Sequence, residues 1–417
     1  MTYDFTVLPG GLRIVGLPMP YRRTVSVGLM VNSGSVYEDA KINGVSHFIE
    51  HMLFKGTETR SARELACEID RLGGMLNAFT DREDTCFYTT AVSEQLPAAM
   101  ELISDMVLHS SFDPAEIRRE KGVVLEEIAM SEDMPDDLVF ELLNQAQFGI
   151  QNVSQPILGT EKTVKGLTRE KILAYKAAMY TPKRSVLALA GKYDWNSVVA
   201  QAQELYGAWE GGEGPERAVP ARPFSPAVLT KEKDIEQTHI CIGFPCPASY
   251  VPEYYPYTIF NTVVGGSSSS RLFQSIRERH GLAYSVNSAI SNTLTCGQFS
   301  IYAAVSPEKA NKALSLMKTE LKKLGKNGIS GAEFEQAKQQ TLAGIIMSLD
   351  SASGRMQAVG HRLLLKDDIM SDEELIEKIE GITLSEVNEI AAELMRQPVF
   401  ASIVGAGIDG IDLGIIQ

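Results

Sequence analysis

The fold is decided by the stretch DPAEIRREKGVVLEEIAMSED, residues 113–133. It aligns without a gap with SGAEFEQAKQQTLAGIIMSLD, residues 330–350. Asp113 and Ser330 are favourable N-caps, and each is followed three residues later by a glutamate, which is the spacing of a capping box. Both stretches are therefore predicted to be long helices, and the chain is predicted to contain two related halves.

Strand patterns repeat in the same order around these helices. Alternating apolar residues mark TVSVGLMVNSGSVYED, residues 24–39, and THICIGFPCPASYVPE, residues 238–253, and each half closes with an apolar run, SVLALAG from Ser185 and VFASIVGAG from Val399. This order predicts an α+β fold of two homologous halves, each a largely antiparallel sheet with helices packed on one face. Two such halves are expected to face each other across a cleft, where ligand sites are common.

The boundary between the halves is predicted near the middle of the 417 residues, a length that favours more than one domain. The stretch GGEGPERAVPARPFSP, residues 211–226, is rich in Gly and Pro, as linkers are. The predicted domains are residues 1–212 and 227–417, joined by a linker over 213–226.

Composition and net charge bear on which classes of partner the protein binds. Hydrophobic residues make up 44% of the chain, and the formal net charge is −14. This charge argues against a nucleic-acid partner. It is compatible with a positively charged substrate, and equally with a role in solubility alone.

The compartment is predicted from cysteines and terminal patterns. The five cysteines form no C-x-x-C pair, which argues against a disulfide framework and favours a reducing compartment. The N-terminal residues show no secretory or transit pattern, and no run of about 18 apolar residues predicts a membrane span. A cytoplasmic protein is the expectation.

The motif that carries chemistry lies in GVSHFIEHMLFKGT, residues 44–57, as H-x-x-E-H. On a helix His47, Glu50 and His51 share one face, so the two imidazoles can hold one metal ion. Zn²⁺ favours such ligands and keeps a fourth position for water in catalytic sites, where Glu50 could take the proton of that water. The alternative is a helix with two surface histidines and a charge partner.

A third protein ligand is expected from the predicted helix at 113–133. Glu120 and Glu127 lie seven residues, or two turns, apart on one face, whereas the aligned positions of the second half are Ala337 and Gly344. The metal chemistry is therefore assigned to the first half, with an ordinary solvated helix face as the alternative.

These motifs resemble the pitrilysin/insulinase family of metallopeptidases over essentially the whole chain. H-x-x-E-H is the inverzincin signature, and the run REKGVVLEE and its distance from His51 match the family. The two-half layout is similar to the mitochondrial-processing-peptidase branch and to related bacterial processing proteases. The resemblance implies that His47, His51 and Glu127 bind one Zn²⁺ per chain, that Glu50 activates water, and that Glu120 supports the site.

Two further segments fit the same family. The stretch GGMLNAFTDREDTCFYTT, from Gly73, resembles the edge strand beside the zinc, where Asn77, Ala78 and Phe79 would pair with an extended substrate. An ordinary hairpin is the alternative there. In RLFQSIRERHGLAYSV, Arg277 and Tyr284 match an Arg-Tyr pair that contacts the substrate near the scissile bond and suits an oxyanion. The alternative is a surface Arg and a half-buried Tyr.

The sequence therefore predicts a zinc endopeptidase acting on peptides or unfolded protein segments, with a homodimer as the expected assembly. Zinc would polarise the scissile carbonyl and acidify the bound water. The rival hypothesis is a non-catalytic scaffold or substrate-binding subunit of a heterodimer, against which the intact His47, Glu50, His51 and Glu127 set argues. A purely structural zinc protein is disfavoured, since four Cys or His ligands are absent from the motif.

Overall fold

The structure is a computed structural model that describes residues 3–74, 76–216 and 226–415. Within these residues the strands are β1 (Asp4–Val7), β2 (Arg13–Pro18), β3 (Thr24–Val31), β4 (Leu76–Thr80), β5 (Thr85–Val92), β6 (Ser185–Gly191), β7 (Val228–Glu232), β8 (Thr238–Cys246), β9 (Ala283–Asn292), β10 (Gly297–Val305) and β11 (Phe400–Gly405).

The helices are α1 (Val45–Leu53), α2 (Ala62–Arg71), α3 (Leu96–His109), α4 (Pro114–Asp133), α5 (Pro135–Phe148), α6 (Glu161–Gly166), α7 (Arg169–Met179), α8 (Trp195–Tyr206), α9 (Tyr254–Val264), α10 (Ala310–Asn327), α11 (Gly331–Leu349), α12 (Ala352–Lys366), α13 (Asp372–Gly381) and α14 (Leu384–Leu394). A π-helix covers Phe273–Arg279. None of the helices in the described residues is both long and apolar enough to cross a membrane.

The two long helices begin where the caps predict. The carboxylate of Asp113 accepts hydrogen bonds from the backbone N–H groups of Ala115 (2.7 Å) and Glu116 (3.2 Å) at the start of α4. At the start of α11, Ser330 and Glu333 form the reciprocal capping box, with N···O distances of 3.3 and 2.9 Å. Local side-chain bonds of this kind satisfy N–H groups that the helix itself cannot.

The chain forms two compact units, and neither is continuous in sequence. The first comprises residues 1–128, 155–218 and 346–373, and the second comprises residues 129–154, 219–345 and 374–417. Each unit therefore contains one segment from the sequence half of the other. Residues 217–225 of the predicted linker lie outside the described residues. The domain boundaries at 212 and 227 stay a prediction.

The first unit is built on a six-stranded sheet in the order β1-β2-β6-β3-β5-β4. Only β2 and β6 run parallel among these neighbours. Alternate residues of β3 and β6, such as Val27, Leu29 and Leu187, enter the main core with α1 and α3. The α+β prediction is confirmed, with a largely antiparallel sheet.

The opposite face of this sheet is also covered, by α12. Gly360 allows the close approach, because a Cβ there would lie 2.7 Å from both Ala188 Cβ and Met30 Sδ. The sequence pattern could not show this layer, since α12 follows the sheet's last strand in the chain by more than a hundred residues.

The second unit repeats the plan with a five-stranded sheet in the order β7-β11-β8-β10-β9, in which only β7 and β11 are parallel. Helices α9, α10 and α14 cover one face around Phe260 and Phe299. On the other face α5 places Leu143 about 3.0 Å from where a Cβ of Gly243 would stand. The equivalent use of α5 and α12 supports the repeat found in the sequence.

An ion pair connects α12 to the sheet of the first unit. His361 Nε2 lies 3.3 Å from Oδ1 of Asp84, whose side chain is 1% exposed, in the turn between β4 and β5. Burial by itself would lower the pKa of His361, but the close contact with Asp84 and the charges of Asp84, Glu83 and Asp81 raise it. The folded protein therefore favours the imidazolium.

We predict that this pair makes stability depend on pH. A raised folded-state pKa means that the stabilisation is complete below the unfolded pKa, about 6.5, and is lost as pH rises through the folded pKa. His361→Gln should unfold at a lower temperature below that window, by the equivalent of about 1 kcal/mol because a third of the imidazole is exposed. Thermal unfolding at several pH values measures this. The control is His109→Gln, an exposed histidine at the end of α3. Equal pH dependence in wild type and His361→Gln would contradict the prediction.

Candidate metal centre

A buried glutamate fixes the start of α1, the helix that carries H-x-x-E-H. Glu38, 0% exposed, accepts hydrogen bonds from the backbone N–H groups of Gly44 (2.7 Å) and Ser46 (2.8 Å) and from Asn43 Nδ2 (2.8 Å). A carboxylate at a helix N-terminus is favourable. Burial raises the pKa of Glu38, and these hydrogen bonds oppose the rise. Sequence reasoning missed this residue, although an acidic side chain shortly before a helix is a usable signal.

Gly44 makes the entry to α1 possible. Its φ is 92°, in the left-handed region that favours glycine, and a Cβ there would lie 2.6 Å from the carbonyl oxygen of Leu158. A larger residue would displace the first turn of α1. It would also displace His47 and His51, which lie one and two turns further along the helix.

Three ligand atoms from α1 and α4 meet at one point. Nε2 of His51 lies 3.5 Å and Nε2 of His47 lies 3.9 Å from Oε2 of Glu127, and one atom from each residue falls within 4.8 Å of the others. Two ligands about 2.0–2.1 Å from a tetrahedral zinc ion are roughly 3.4 Å apart. The spacing therefore fits one zinc ion with little movement.

The unpaired carboxylate oxygen supports the same assignment. Glu127 Oε2 is buried and has no hydrogen-bond partner among the described residues. An anionic oxygen removed from water without a partner is costly, and burial of this kind is tolerated where a cation is coordinated. The donor set of two imidazole nitrogens and one carboxylate oxygen is one that catalytic zinc sites use.

The histidines differ in protonation. Burial, with the neighbouring charge of His51, lowers the pKa of His47 to about 3, so its imidazole is neutral and able to ligate. Burial would also lower the pKa of His51, but the hydrogen bond to Glu120 and the charges of Glu127, Glu120 and Glu50 raise it. A cation that binds there must displace the proton, so metal affinity should fall at acid pH.

Glu120 contacts His51 at Nδ1 and so orients the imidazole ring. Its Oε1 lies 2.8 Å from His51 Nδ1, and its Oε2 lies 2.8 Å from Lys55 Nζ, with the carboxylate side chain 3% exposed. Burial would raise the pKa of Glu120, but the bonds to His51 and Lys55 hold it below the usual value. An ionised Glu120 keeps the proton on Nδ1 and turns Nε2 toward Glu127. Sequence reasoning missed Lys55, which follows the helix in the turn after α1.

Glu50 stands on the same helix with a different environment. Thr80, at the end of β4, donates a hydrogen bond to Glu50 Oε2 at 2.5 Å. Burial and the charge of Glu127 raise the pKa of Glu50, while the Thr80 bond and the charge of His51 oppose the rise. A carboxyl group with a raised pKa is better matched to proton transfer near neutral pH.

The strand that bears Thr80 has one open edge. β4 is the end strand of its sheet and pairs with β5 through Asn77, Ala78 and Phe79. The N–H of Ala78 donates to the Asn77 side-chain oxygen at 2.9 Å, which places it outside the ladder to β5. Its role in binding substrate stays a prediction.

Arg277 and Tyr284 form a local pair in the second unit. Arg277 Nη1 donates to the Tyr284 carbonyl oxygen at 2.8 Å, and its guanidinium carbon lies 4.6 Å from the ring centres of both Tyr284 and Phe273. Tyr284 is 80% exposed. The structure shows these two residues in contact with each other, and the contact with substrate that the resemblance implies stays a prediction.

We predict that Glu120→Gln weakens zinc binding. Gln retains the size of the side chain but loses the charge that holds the Nδ1 proton of His51, so affinity should fall by about 10- to 100-fold. Competition with a colorimetric zinc chelator measures it. Glu126→Gln, an exposed glutamate on the same helix, is the matched control. Unchanged affinity in Glu120→Gln would show that the contact does not support the site.

Two family models match the chain. The model described as Insulinase (Peptidase family M16) matches residues 13–161. This match includes His47, Glu50, His51, Glu120 and Glu127. The model described as Peptidase M16 inactive domain matches residues 166–341. The three candidate metal ligands all lie within the first match, and the aligned positions of the second half, Ala337 and Gly344, carry no acidic side chain.

Bacterial relatives match over nearly the full length. The uncharacterized zinc protease YmxG of Bacillus subtilis is 37% identical over 394 residues, covering 94% of this chain and 96% of the relative. An uncharacterized zinc protease of Mycobacterium tuberculosis is 36% identical over 404 residues, covering 96% and 92%.

Solved structures share the fold at lower identity. A protease from Helicobacter pylori gives a TM-score of 0.91 at 19% identity, covering 97% of this chain and 99% of that one. A peptidase M16 inactive domain protein from Pseudomonas fluorescens gives 0.90 at 19% identity, covering 97% and 98%. These likenesses concern the fold alone.

Proposed function

The chain belongs to the insulinase family of peptidases (family M16), and from this premise we propose that it is a zinc-dependent endopeptidase that cleaves peptides or unfolded protein segments. The observation that carries the proposal is the convergence of His47 Nε2, His51 Nε2 and Glu127 Oε2, with Glu50 on the same helix as the histidines. The relatives named as zinc proteases support the choice of metal.

His47, His51 and Glu127 would hold the ion. Zinc bound there supplies Lewis-acid activation of a water molecule and of the scissile carbonyl. Glu120, through His51 Nδ1, keeps the ligand nitrogen free of a proton and correctly turned. Lys55 neutralises the second Glu120 oxygen, so the buried carboxylate stays ionised without a large cost.

Glu50 would move the proton. Its carboxylate accepts a proton from the attacking water and passes it to the leaving amine, a role for which a raised pKa is suitable. The Thr80 hydroxyl donates to Oε2, which fixes the carboxylate and leaves Oε1 for the proton.

The remaining predicted residues would bind the substrate. Asn77, Ala78 and Phe79 on the open edge of β4 would pair with an extended peptide, mostly through backbone groups, so many sequences would be accepted. Arg277 and Tyr284 offer a cation and a phenol donor for the oxygens of the substrate backbone.

Assembly and location remain parts of the proposal. We retain a homodimer and a cytoplasmic location as expectations. The rival function, a non-catalytic scaffold or substrate-binding subunit, predicts binding without hydrolysis. The presence of all three ligands, Glu50 and Glu120 in one geometry supports the catalytic alternative.

The first test is hydrolysis of an unfolded, internally quenched peptide. We expect cleavage that a chelator abolishes and zinc restores. Glu50→Gln should lose activity by about 100-fold or more while retaining zinc, because the base is removed and the ligands remain. Metal content is measured alongside the rate. Glu58→Gln, an exposed glutamate just after α1, is the matched control. An active Glu50→Gln protein would refute the role of Glu50, and an inactive zinc-loaded wild type would favour the scaffold.

The edge strand gives a second test. Ala78→Pro removes an N–H that lies outside the ladder to β5, so the sheet should tolerate the change. The loss of one backbone hydrogen bond to the peptide should raise KM by about fivefold to tenfold, with a smaller effect on kcat. Ala78→Val keeps the N–H and serves as the control. If the Ala78→Pro protein is active and its KM is unchanged, the substrate does not pair with β4 at this position.

A further inference from the structure

The second unit contains a cavity of about 560 Å³ that the proposed chemistry does not use. Its walls come from the end of β8, the loop after it, the first turn of α9, and α14. The volume is in the usual range of ligand sites, roughly 300–1,000 Å³. The lining residues are Pro245, Cys246, Pro247, Pro252, Glu253, Pro256, Tyr257, Glu386, Glu389, Ile390, Glu393 and Gln397.

Apolar and rigid groups line the cavity wall. Four of the lining residues are prolines, and Tyr257 and Ile390 are buried beside them. Proline rings fix the backbone, so the wall is preformed and little ordering is required on binding. Burial, with Cys246 and Glu393 nearby, raises the pKa of Tyr257, so its phenol stays protonated and can donate a hydrogen bond.

Negative charge lines the rim. Four glutamates and no lysine or arginine appear among the described lining residues. Glu386, Glu389 and Glu393 share one face of α14, since they are three and four residues apart. Glu386 is engaged in the capping box of that helix, where its carboxylate accepts hydrogen bonds from the backbone N–H and the hydroxyl of Thr383.

The other two rim carboxylates on α14 have neutral partners. Glu393 Oε1 accepts from Gln397 Nε2 at 2.9 Å, and Glu389 Oε1 accepts from Ser385 Oγ at 3.4 Å. Both residues are exposed. Lys338, whose charge reaches Glu386, uses its ammonium group on the carbonyl oxygens of Glu380 and Ile382. Glu389 and Glu393 therefore retain the capacity to bind a cation.

We propose that this cavity binds peptide segments that carry lysine or arginine side chains. The aliphatic stem of such a side chain matches the proline wall, and its charged end matches the carboxylates of Glu389 and Glu393 at the rim. A free inorganic cation would use the carboxylates but not the apolar wall, and a neutral apolar ligand would leave the carboxylates without a partner. The net charge of −14 favours approach of the same class of ligand.

This site deepens the proposed function. The binding stands on the cavity alone, whereas cleavage of the bound segment rests on the proposed peptidase activity. A basic segment held in the second unit would then select substrates by charge, in addition to the sequence-tolerant pairing expected at β4.

The test is fluorescence anisotropy with a labelled peptide in which lysine alternates with alanine, and with a twin that has glutamine for each lysine. All proteins carry Glu50→Gln, so that no peptide is hydrolysed. We expect the lysine peptide to bind, the twin to bind more weakly, and Glu389→Gln/Glu393→Gln to reduce lysine-peptide affinity about tenfold at low salt. The matched control is Glu335→Gln/Glu377→Gln, which removes the same charge at exposed positions of α11 and α13.

The outcomes separate the two proposals. Equal affinity in the Glu389→Gln/Glu393→Gln protein and its parent, or an equal loss in the control protein, would overturn the cavity as the binding site. With Glu50 restored, the Glu389→Gln/Glu393→Gln protein should hydrolyse a lysine-free peptide at the wild-type rate. A wild-type protein that binds the lysine peptide through this cavity but hydrolyses nothing would overturn the peptidase proposal and leave this one standing.

Discussion

The buried carboxylate of Glu120 is the contact on which the candidate metal centre depends. It joins α4 to α1 by meeting His51 Nδ1 and Lys55 Nζ at 2.8 Å each, at a depth where an ionised group requires such partners. Because Glu127 lies two turns further along α4, the position of Glu120 also sets where Glu127 Oε2 meets the two imidazoles. One ionic contact therefore fixes two of the three candidate ligands.

The rest of the first unit holds these two helices in place. Glu38 accepts hydrogen bonds from the N-terminus of α1, and Thr80 donates one to Glu50 from the edge strand. The helix is therefore held at its start and on the face that carries the candidate ligands. The hydrophobic residues of α1 are buried on the other side, with Phe48 and Ile49 fully buried in the core. Precision of this kind is what a site needs when its charged groups must be correctly placed before substrate arrives.

The two units use one plan for different chemistry. In the second unit the position equivalent to Glu120 is Ala337, which is buried in the core, and the position equivalent to Glu127 is Gly344, which is exposed. The helix that follows β8, α9, carries aromatic residues in place of histidines and borders an acid-rimmed cavity. The two units thus share a plan of helices packed on a largely antiparallel sheet, whereas Ala337 and Gly344 carry no acidic group where the first unit has Glu120 and Glu127.

The sequence by itself determined the α+β class and the long capped helices, because these depend on short-range spacing along one helix or strand, and the alignment of the two halves showed the repeat. The resemblance to the family, and not spacing, joined Glu127 of one helix to His47 and His51 of another, and that assignment stays a prediction. His47, Glu50 and His51 are neighbours on any helix, and so are Glu120 and Glu127. Only the tertiary structure decided that α12 covers the sheet of the first unit and α5 that of the second, that Glu38 and Lys55 support the site, and that prolines and glutamates from distant segments enclose a cavity. Those features are contacts between residues far apart in the chain, which local periodicity does not encode.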